Sequence, residues 1–334
     1  MDVKLAVLNY LLQNGENGIS GQVLADQLKV SRNSIWKAVQ QLREDGFDIQ
    51  SSPQAGYQIK AKPKHIHQTY LQSLLASVWP QMEVHYQSCV DSTNKWAKDW
   101  INDHPGREAL FIAREQTAGR GRYGRDFYSK LDHGLYLSLV FQPSLPLEEI
   151  AIYTLLTAVA AYLTLKEYKR DQLAIKWVND LYLNQKKIIG ILCEAIADLE
   201  NGGLSAIIVG IGFNLAGDFS QADLEISKEA GVIFSPEEIQ KLDTNRFLVQ
   251  FIKHFRSLDL QLPDKSFLQS YQEAMLGIGQ EVEITLANQK QTGTLRGINQ
   301  QGALILEDSN GKLQAYASGE CRLNKEKLLG GHYD

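Results

Sequence analysis

Glu115-Gln116-Thr117-Ala118-Gly119-Arg120-Gly121-Arg122-Tyr123-Gly124-Arg125 is the stretch on which the reading of this chain turns. Its glycines at 119, 121 and 124 satisfy the spacing GxGxxG. A dinucleotide-binding turn needs a helix directly after those glycines. Here Asp126-Phe127-Tyr128-Ser129-Lys130 comes next, and then another strand-like run, so that reading fails on context. The physical content is three arginines interleaved with three glycines. Glycine lets the backbone approach a ligand and aim N–H groups at it. Arginine supplies forked donors for carboxylate and phosphate oxygens. An isolated Arg/Gly run is ordinarily a solvated basic loop; one flanked tightly by strands reads as an anion cradle.

Outward from the loop, strand-like runs at 109–113, 134–141, 174–178, 188–193 and 205–212 surround a helical pattern at 150–166. This alternation predicts an α/β or α+β domain with a substantial sheet over 65–275. Lys176-Trp177-Val178-Asn179-Asp180 closes one run, and strand ends are where such sheets place ligands. Asn179 and Asp180 carry the oxygen donors that a hard cation such as Mg²⁺ prefers, although Asn-Asp after a strand is also ordinary turn chemistry. Lys187 enters the apolar run 188–193, where it either snorkels harmlessly or reaches a carboxylate or α-phosphate. Gly210-Ile211-Gly212-Phe213-Asn214 permits close backbone approach. Asp91-Ser92-Thr93-Asn94 reads as a helix N-cap ahead of Lys95-Trp96-Ala97, with hydroxyls also suited to a small polar ligand group.

The first sixty residues form a separate pattern. Val3, Val7, Leu8 and Leu11 recur at helical spacing, a second helix fits 21–28 behind Ser20, and Lys29-Val30 leads to Ser31 as another N-cap. The third helix spans about 32–45, stops at Gly46, and buries Ile35, Val39 and Leu42. Two short strands, 47–49 and 57–59, flank the turn chemistry of 51–56. Three helices and a hairpin predict a winged helix-turn-helix that ends at a linker near 60–64. Opposite the apolar stripe the third helix presents Arg32, Asn33, Trp36, Lys37 and Gln40, with no acid between Ser31 and Arg43. Such side chains suit base edges and phosphates; the helix order favours DNA over a protein-interaction face. Beyond Ile278, four short strands at 281–286, 292–298, 303–307 and 313–317 predict a small β-barrel.

Composition narrows the class. The chain has 334 residues, 44% hydrophobic and 22% charged, which suits a soluble protein of two or three domains. No run of about 18 apolar residues occurs, and the N-terminus lacks the order of a signal peptide. Cys89, Cys193 and Cys321 lie far apart and read as reduced cytoplasmic thiols. The net charge of -5 gives no general support to nucleic-acid binding, so any DNA contact must come from a local surface.

Together and in order, Asp91 to Asn94, the loop from Gln116 to Arg125, Lys176 to Asp180, Lys187 with Gly190, and Gly210 to Asn214 resemble the bifunctional biotin–protein ligase and biotin operon repressor family across nearly the whole chain. The resemblance implies an α+β multidomain fold: a winged helix-turn-helix at 1–62, a class II synthetase-like α/β catalytic domain at 65–275, and an SH3-like β-barrel at 276–334. It implies an ATP-dependent, AMP-forming biotin–[acetyl-CoA carboxylase] ligase. Biotinyl-5′-AMP would form and pass biotin to a lysine of the biotin carboxyl carrier protein. Ser92, Thr93, Asn94, Gln116, Gly119 and Gly190 would hold biotin, with Arg120, Gly121 and Arg122 closing over its carboxylate and the adenylate phosphate. Lys187 would contact both groups. Arg122, Arg125, Lys176, Lys187 and Asn214 would bind ATP, and Asn179 with Asp180 would hold Mg²⁺-ATP. Ser31, Arg32, Asn33, Trp36, Lys37 and Gln40 would contact operator DNA, bound by a ligand-promoted homodimer pairing along the edge at 191–197. Three departures stand out: Val178 replaces a proline, Leu224 sits where a tryptophan is usual, and Asp126-Phe127 replaces a basic residue and a tryptophan.

Two rivals remain in view. A lipoate-protein ligase shares the catalytic fold and adenylate logic, but the Arg/Gly loop and winged helix count against it. A ligand-sensing repressor without catalysis would not need Lys187, Asp180 and three loop arginines.

Overall fold

The computed structural model describes residues 2–14, 17–130, 132–146, 149–169, 172–198, 203–286 and 289–323. The chain divides into two compact units, Met1–Tyr86 with Gln240–Gln250, and Gln87–Ile239 with Phe251–Asp334.

In the first unit α1 (Val3–Asn14), α2 (Gly21–Leu28) and α3 (Arg32–Glu44) precede a hairpin of β1 (Asp48–Ser52) and β2 (Gly56–Ala61). Ser20 and Ser31 cap α2 and α3 as expected, each Oγ accepting an N–H three residues on at 3.1 Å. Lys29 adopts φ 55° in the turn between them. Val7, Leu8, Leu24, Ile35, Val39 and Leu42 are fully buried, the core that the helical spacing anticipated. The compact unit does not stop at the expected linker. α4 (Gln68–Leu75) comes after it, and its Tyr70 is buried in the same core. Asn245 explains how 63–67 is held. Its Nδ2 donates to the carbonyls of Pro63 (3.0 Å) and His65 (2.7 Å), and its Oδ1 accepts from His67 N–H (2.9 Å). A tract with three backbone groups satisfied this way is structure, not a free tether.

The central sheet has seven strands: β3 (Glu83–Val90), β4 (Ala109–Gln116), β5 (His133–Phe141), β6 (Leu173–Lys176), β7 (Asp180–Leu183), β8 (Lys186–Asp198) and β9 (Gly203–Ala216). Their order is β3-β4-β5-β9-β8-β7-β6. α5 (Thr93–Asp103) and α6 (Ile152–Lys166) accompany it, with α7 (Leu224–Glu229), α8 (Pro236–Ile239), α9 (Thr244–Leu260) and α10 (Phe267–Glu273) later in the chain. The expected strand at 174–178 ends earlier, at Lys176. Residues 177–179 turn, and Asp180 opens β7 opposite Lys176. The Asn-Asp pair is therefore both turn chemistry and the start of a strand. Beyond Gly190, β7 no longer covers β8, which leaves one side of β8 from 192 to 197 without a strand partner among the described residues.

The last module is one antiparallel sheet of five strands: β10 (Glu281–Leu286), β11 (Gln289–Ile298), β12 (Leu304–Glu307), β13 (Leu313–Tyr316) and β14 (Glu320–Leu323), in the order β13-β12-β11-β10-β14. β14 adds to the four expected strands; its Cys321 is buried opposite Ile284. Residues 324–334 of the expected C-terminal domain lie outside the described residues. No described helix is long and apolar enough to cross a membrane.

Candidate active site

Four segments of the second unit converge on one cavity: the start of α5, the Arg/Gly loop, the β6–β7 turn and the β8–β9 hairpin, with residues 319–321 of the last sheet closing one side. Ser92 caps α5, which fixes Thr93 and Asn94 in its first turn. Thr93 N–H donates to Gln116 Oε1 at 2.8 Å, and Gln116 Nε2 donates to Ser129 Oγ at 3.0 Å. Ser138 Oγ, from β5, lies 2.8 Å from Thr93 Oγ1 and 2.6 Å from Asn94 Oδ1. The result is a buried polar cluster whose members are all hydrogen-bonded, as burial demands.

The loop is shaped by its own backbone. Gly121 N–H donates to Arg125 O (2.7 Å) and Phe127 N–H to Gly119 O (2.9 Å), while Tyr123 and Gly124 take φ 58° and 73°. A Cβ on Gly124 would meet nothing, so glycine serves the positive φ there. Phe127 swings back across the sheet. A Cβ on Gly190 or Gly212 would come within 2.6 or 2.5 Å of its ring, and these two glycines face each other in the β8–β9 register. They are glycines because an aromatic ring lies across them. Lys187 Nζ sits 5.8 Å from the centre of that ring and 2.7 Å from Asp180 Oδ1.

Arg125 extends to the last sheet and forks onto both carboxylate oxygens of Glu320. This pairing holds the Glu320 carboxyl below its usual range and raises the guanidinium. Burial pushes the Cys193 thiol up to about 12 and the Cys321 thiol up to about 11. Neither supplies a thiolate near neutral pH, so the site has no activated cysteine nucleophile.

The cavity brings together Ser92, Thr93, Asn94, Gln116, Arg120, Gly121, Arg122, Arg125, Lys176, Asn179, Asp180, Lys187 and Gly190. Two expected residues do not line it. Gly119 lies behind the loop, where a Cβ would strike Ser129 Oγ at 2.6 Å. Asn214 is buried and donates through Nδ2 to Gly231 O (3.1 Å) and Lys187 O (3.4 Å); it braces the lysine's backbone. The structure adds Phe127 and Glu320 to the lining, and Ser129, Ser138 and Glu194 as hydrogen-bond partners of lining residues. Only Phe127, adjoining the motif, left a signal in the sequence. The Trp177–Val178 peptide, at the position of the missing proline, is cis. Asn179 Nδ2 donates to Ile191 O at 2.9 Å. No cluster of three or more His, Cys, Asp or Glu side chains able to hold a metal occurs among the described residues.

In the first unit, Arg32, Asn33, Trp36 and Lys37 are exposed on α3 and Gln40 is half-buried, with Trp36 51% accessible. Ser31 is partly committed: its Oγ caps α3 and also meets Ser34 Oγ at 2.9 Å.

A polar pocket and an arginine cradle on an antiparallel sheet, joined to a helix-turn-helix, define a carboxylate-activating ligase with a DNA-binding module. Comparison with known proteins agrees. Residues 86–214 match the biotin/lipoate A/B protein ligase family, residues 3–58 a helix-turn-helix domain family, and residues 277–323 the biotin protein ligase C-terminal domain. The bifunctional ligase/repressor BirA of Bacillus subtilis (strain 168) is 31% identical over 92% of this chain and 94% of its own length. That of Escherichia coli (strain K12) is 30% identical over 94% and 95%. A biotin protein ligase from Aquifex aeolicus, solved in complex with biotin and ATP, superposes with a TM-score of 0.58 at 28% identity, covering 72% of this chain and 97% of that one. The chain belongs to the biotin–protein ligase family, among the members that carry an N-terminal helix-turn-helix.

Proposed function

We propose that this chain activates biotin with ATP, releases pyrophosphate, and transfers biotin from biotinyl-5′-AMP to a lysine of the biotin carboxyl carrier protein of acetyl-CoA carboxylase. The observation that carries this is the meeting, in one cavity, of a buried hydrogen-bonded pocket with three loop arginines and Lys187. The pocket fits a neutral polar head group. The cations fit the reacting end of the ligand, a carboxylate attacking an α-phosphate, where charge accumulates on oxygens. Ser92, Thr93, Asn94 and Gln116 would bind the biotin ring. Arg120, Gly121 and Arg122 would close over the carboxylate, and Lys187 would bridge carboxylate and phosphate. Arg125 and Lys176 would serve the nucleotide. The carrier amine then attacks the mixed anhydride. No protein nucleophile enters; orientation and charge stabilisation supply the catalysis.

Asp180 offers a carboxylate and the adjacent Asn179 an amide oxygen. That donor set suits Mg²⁺, which takes one or two protein oxygens and completes its shell with phosphates and water. The ion would screen the phosphate charge.

The same chain would act in the cytoplasm as a repressor of biotin-synthesis genes. Residues 1–62 would read DNA, 65–275 carry the chemistry and 276–334 complete the site. Residues 1–60 hold six Lys/Arg against six Asp/Glu, so one module binds weakly and a dimer engaging two half-sites is required. The uncovered edge of β8 is the surface for that pairing, and ordering of the Arg/Gly loop by the adenylate would favour it. Incubation with labelled biotin, ATP and an apo carrier domain tests the ligase. Label on the carrier supports it; adenylate without transfer, or neither, sinks it. Sedimentation with and without the adenylate tests the dimer, and equal association constants would refute the coupling.

A further inference from the structure

Glu194 stands outside every motif, yet its carboxylate reaches the buried polar cluster from β8. Its Oε2 accepts from Asn94 Nδ2 at 2.6 Å, and the same Nδ2 donates to Leu192 O at 3.3 Å. The amide nitrogen of Asn94 is thereby committed to acceptors, so its Oδ1 faces the other way, toward Ser138 Oγ at 2.6 Å. Ser138 is fully buried and Asn94 is 8% exposed, so no bulk water mediates. An amide oxygen carries no hydrogen and a hydroxyl carries one. The single hydrogen of Ser138 must therefore fill the 2.6 Å contact to Asn94. Ser138 then has only lone pairs for Thr93 Oγ1, 2.8 Å away, and Thr93 donates to it. Thr93 also carries one hydroxyl hydrogen, and the 2.8 Å contact to Ser138 needs it. The longer 3.2 Å approach of Thr93 Oγ1 to Gln116 Oε1 is left without one, while that oxygen still accepts from Thr93 N–H at 2.8 Å.

Every hydrogen in this run points toward the carboxylate. The reverse direction would set two lone pairs against each other at 2.6 Å. We propose that Glu194 is a positioning residue: it fixes the direction of the relay Thr93–Ser138–Asn94–Glu194, so that Thr93 Oγ1 meets the ligand's head group as an acceptor. The site thereby selects a ligand whose buried end carries an N–H donor. The inference rests on the reading of biotin as substrate. The cyclic urea of biotin has such N–H groups and the dithiolane of lipoate has none, so Glu194 acts, through three intermediaries, on the choice between them.

The test is steady-state pyrophosphate release by the full chain, varying biotin and ATP separately, with biotin binding measured by calorimetry. Glu194→Ala is expected to raise the biotin KM by about tenfold, the cost of one misdirected buried hydrogen bond, and to leave kcat and the ATP KM within about twofold. Glu194→Gln keeps an acceptor for Asn94 and is expected to retain the wild-type KM within about threefold. Ser138→Ala cuts the relay at its middle. Combined with Glu194→Ala it is expected to be no worse than the poorer single variant, since residues of one network are not additive. It also serves if Glu194→Ala does not fold. An unchanged biotin KM in Glu194→Ala overturns the proposal. So does a parallel change in kcat and both KM values, which marks a general structural role. So does a defect confined to transfer from purified biotinyl-5′-AMP to the carrier, which would place Glu194 at the acceptor lysine. A wild-type chain that releases no pyrophosphate with biotin would refute the ligase reading itself, a separate result.

Discussion

Replacing Lys187 by Met separates structure from chemistry at one atom. The side chain keeps much of its stem and loses the ammonium that lies 2.7 Å from Asp180 Oδ1, the two side chains being 28% and 17% exposed. A carboxylate deprived of its partner costs about 3–5 kcal/mol when fully buried and about 0–1 kcal/mol when exposed. At these exposures the expected loss of stability is about 1–2 kcal/mol. Against a total of about 5–15 kcal/mol, the variant stays folded. The chemical loss is larger. A preorganised charge facing the developing phosphate and carboxylate oxygens contributes about 2.7–4 kcal/mol, or about 10²–10³-fold in rate. Guanidinium denaturation reads the first number and pyrophosphate release at saturating biotin and ATP reads the second. Pyrophosphate release within about threefold of wild type would refute the role of Lys187 in activation. A rate that fell only in step with the folded fraction would refute it equally, because Lys187 would then serve Asp180 alone.

Gly212→Ala places a methyl 2.5 Å from Phe127 Cε1 and is expected to cost about 1–3 kcal/mol by overpacking; Phe127→Ala in the same chain should return part of that, and strict additivity in chemical denaturation would show that the ring does not lie across the glycine. Arg32→Ala and Gln40→Ala are each expected to weaken operator binding by about 1–3 kcal/mol with ligation unchanged; equal gel-shift affinity for both moves the DNA surface elsewhere. His67 is held below the ordinary histidine value of 6.5, first by burial, with Asp45 opposing, while its Nδ1 accepts from Tyr70 N–H at 3.2 Å. A histidine depressed in the folded state takes up its proton more readily when unfolded, so this stability is present above pH 6.5 and is lost as the pH falls through that value. His67→Asn keeps the N-cap and should flatten the melting temperature between about pH 7.5 and about 5.5; an unchanged slope would assign the acid sensitivity to another group.

What was legible in the sequence was local. Ser20, Ser31 and Ser92 announce their helices because an N-cap acts three residues away, and α3 shows its apolar stripe within a dozen residues. β3, β7 and β14 were not legible: polar His85, Gln87 and Ser88 dilute the apolar pattern of β3, β7 opens on the Asn-Asp turn, and β14 follows the turn-like Ser318-Gly319. The reach of the first unit to Tyr86 was hidden because it depends on Asn245, far away in sequence, satisfying backbone groups at 63–67. The candidate site divides along the same line. The arginines, Lys187 and the Asn-Asp pair stand in compact motifs. Ser138 and Glu194 meet Asn94 across 44 and 100 residues, and neither residue type is unusual on a strand. Gly212 was visible as a permissive position and Gly190 only through the family resemblance, and the reason for both, the Phe127 ring, was not visible.

The distant contacts also explain why the last sheet belongs to the same compact unit as the chemistry. Trp177 Nε1 donates to Gly302 O at 3.0 Å, and Tyr271 Oη donates to Val178 O at 3.1 Å. The turn that presents Asn179 and Asp180 is thus gripped from the last sheet by one bond and from α10 by the other. Across the cavity, Glu320 holds the loop through Arg125. A guanidinium–carboxylate fork fixes orientation as well as distance, whereas the Arg/Gly loop on its own has glycines that permit many conformations. With Arg125 59% exposed, the pair contributes little to global stability. Its consequence is positional: it ties one end of the loop to a rigid strand and leaves Arg120 and Arg122 free of that restraint. At its other end the loop is tied by Phe127 N–H to Gly119 O at 2.9 Å, so Arg120 and Arg122 lie between two fixed points. With Gly319, Glu320 and Cys321 lining the same cavity, the last sheet is a component of the candidate site, not an appended domain.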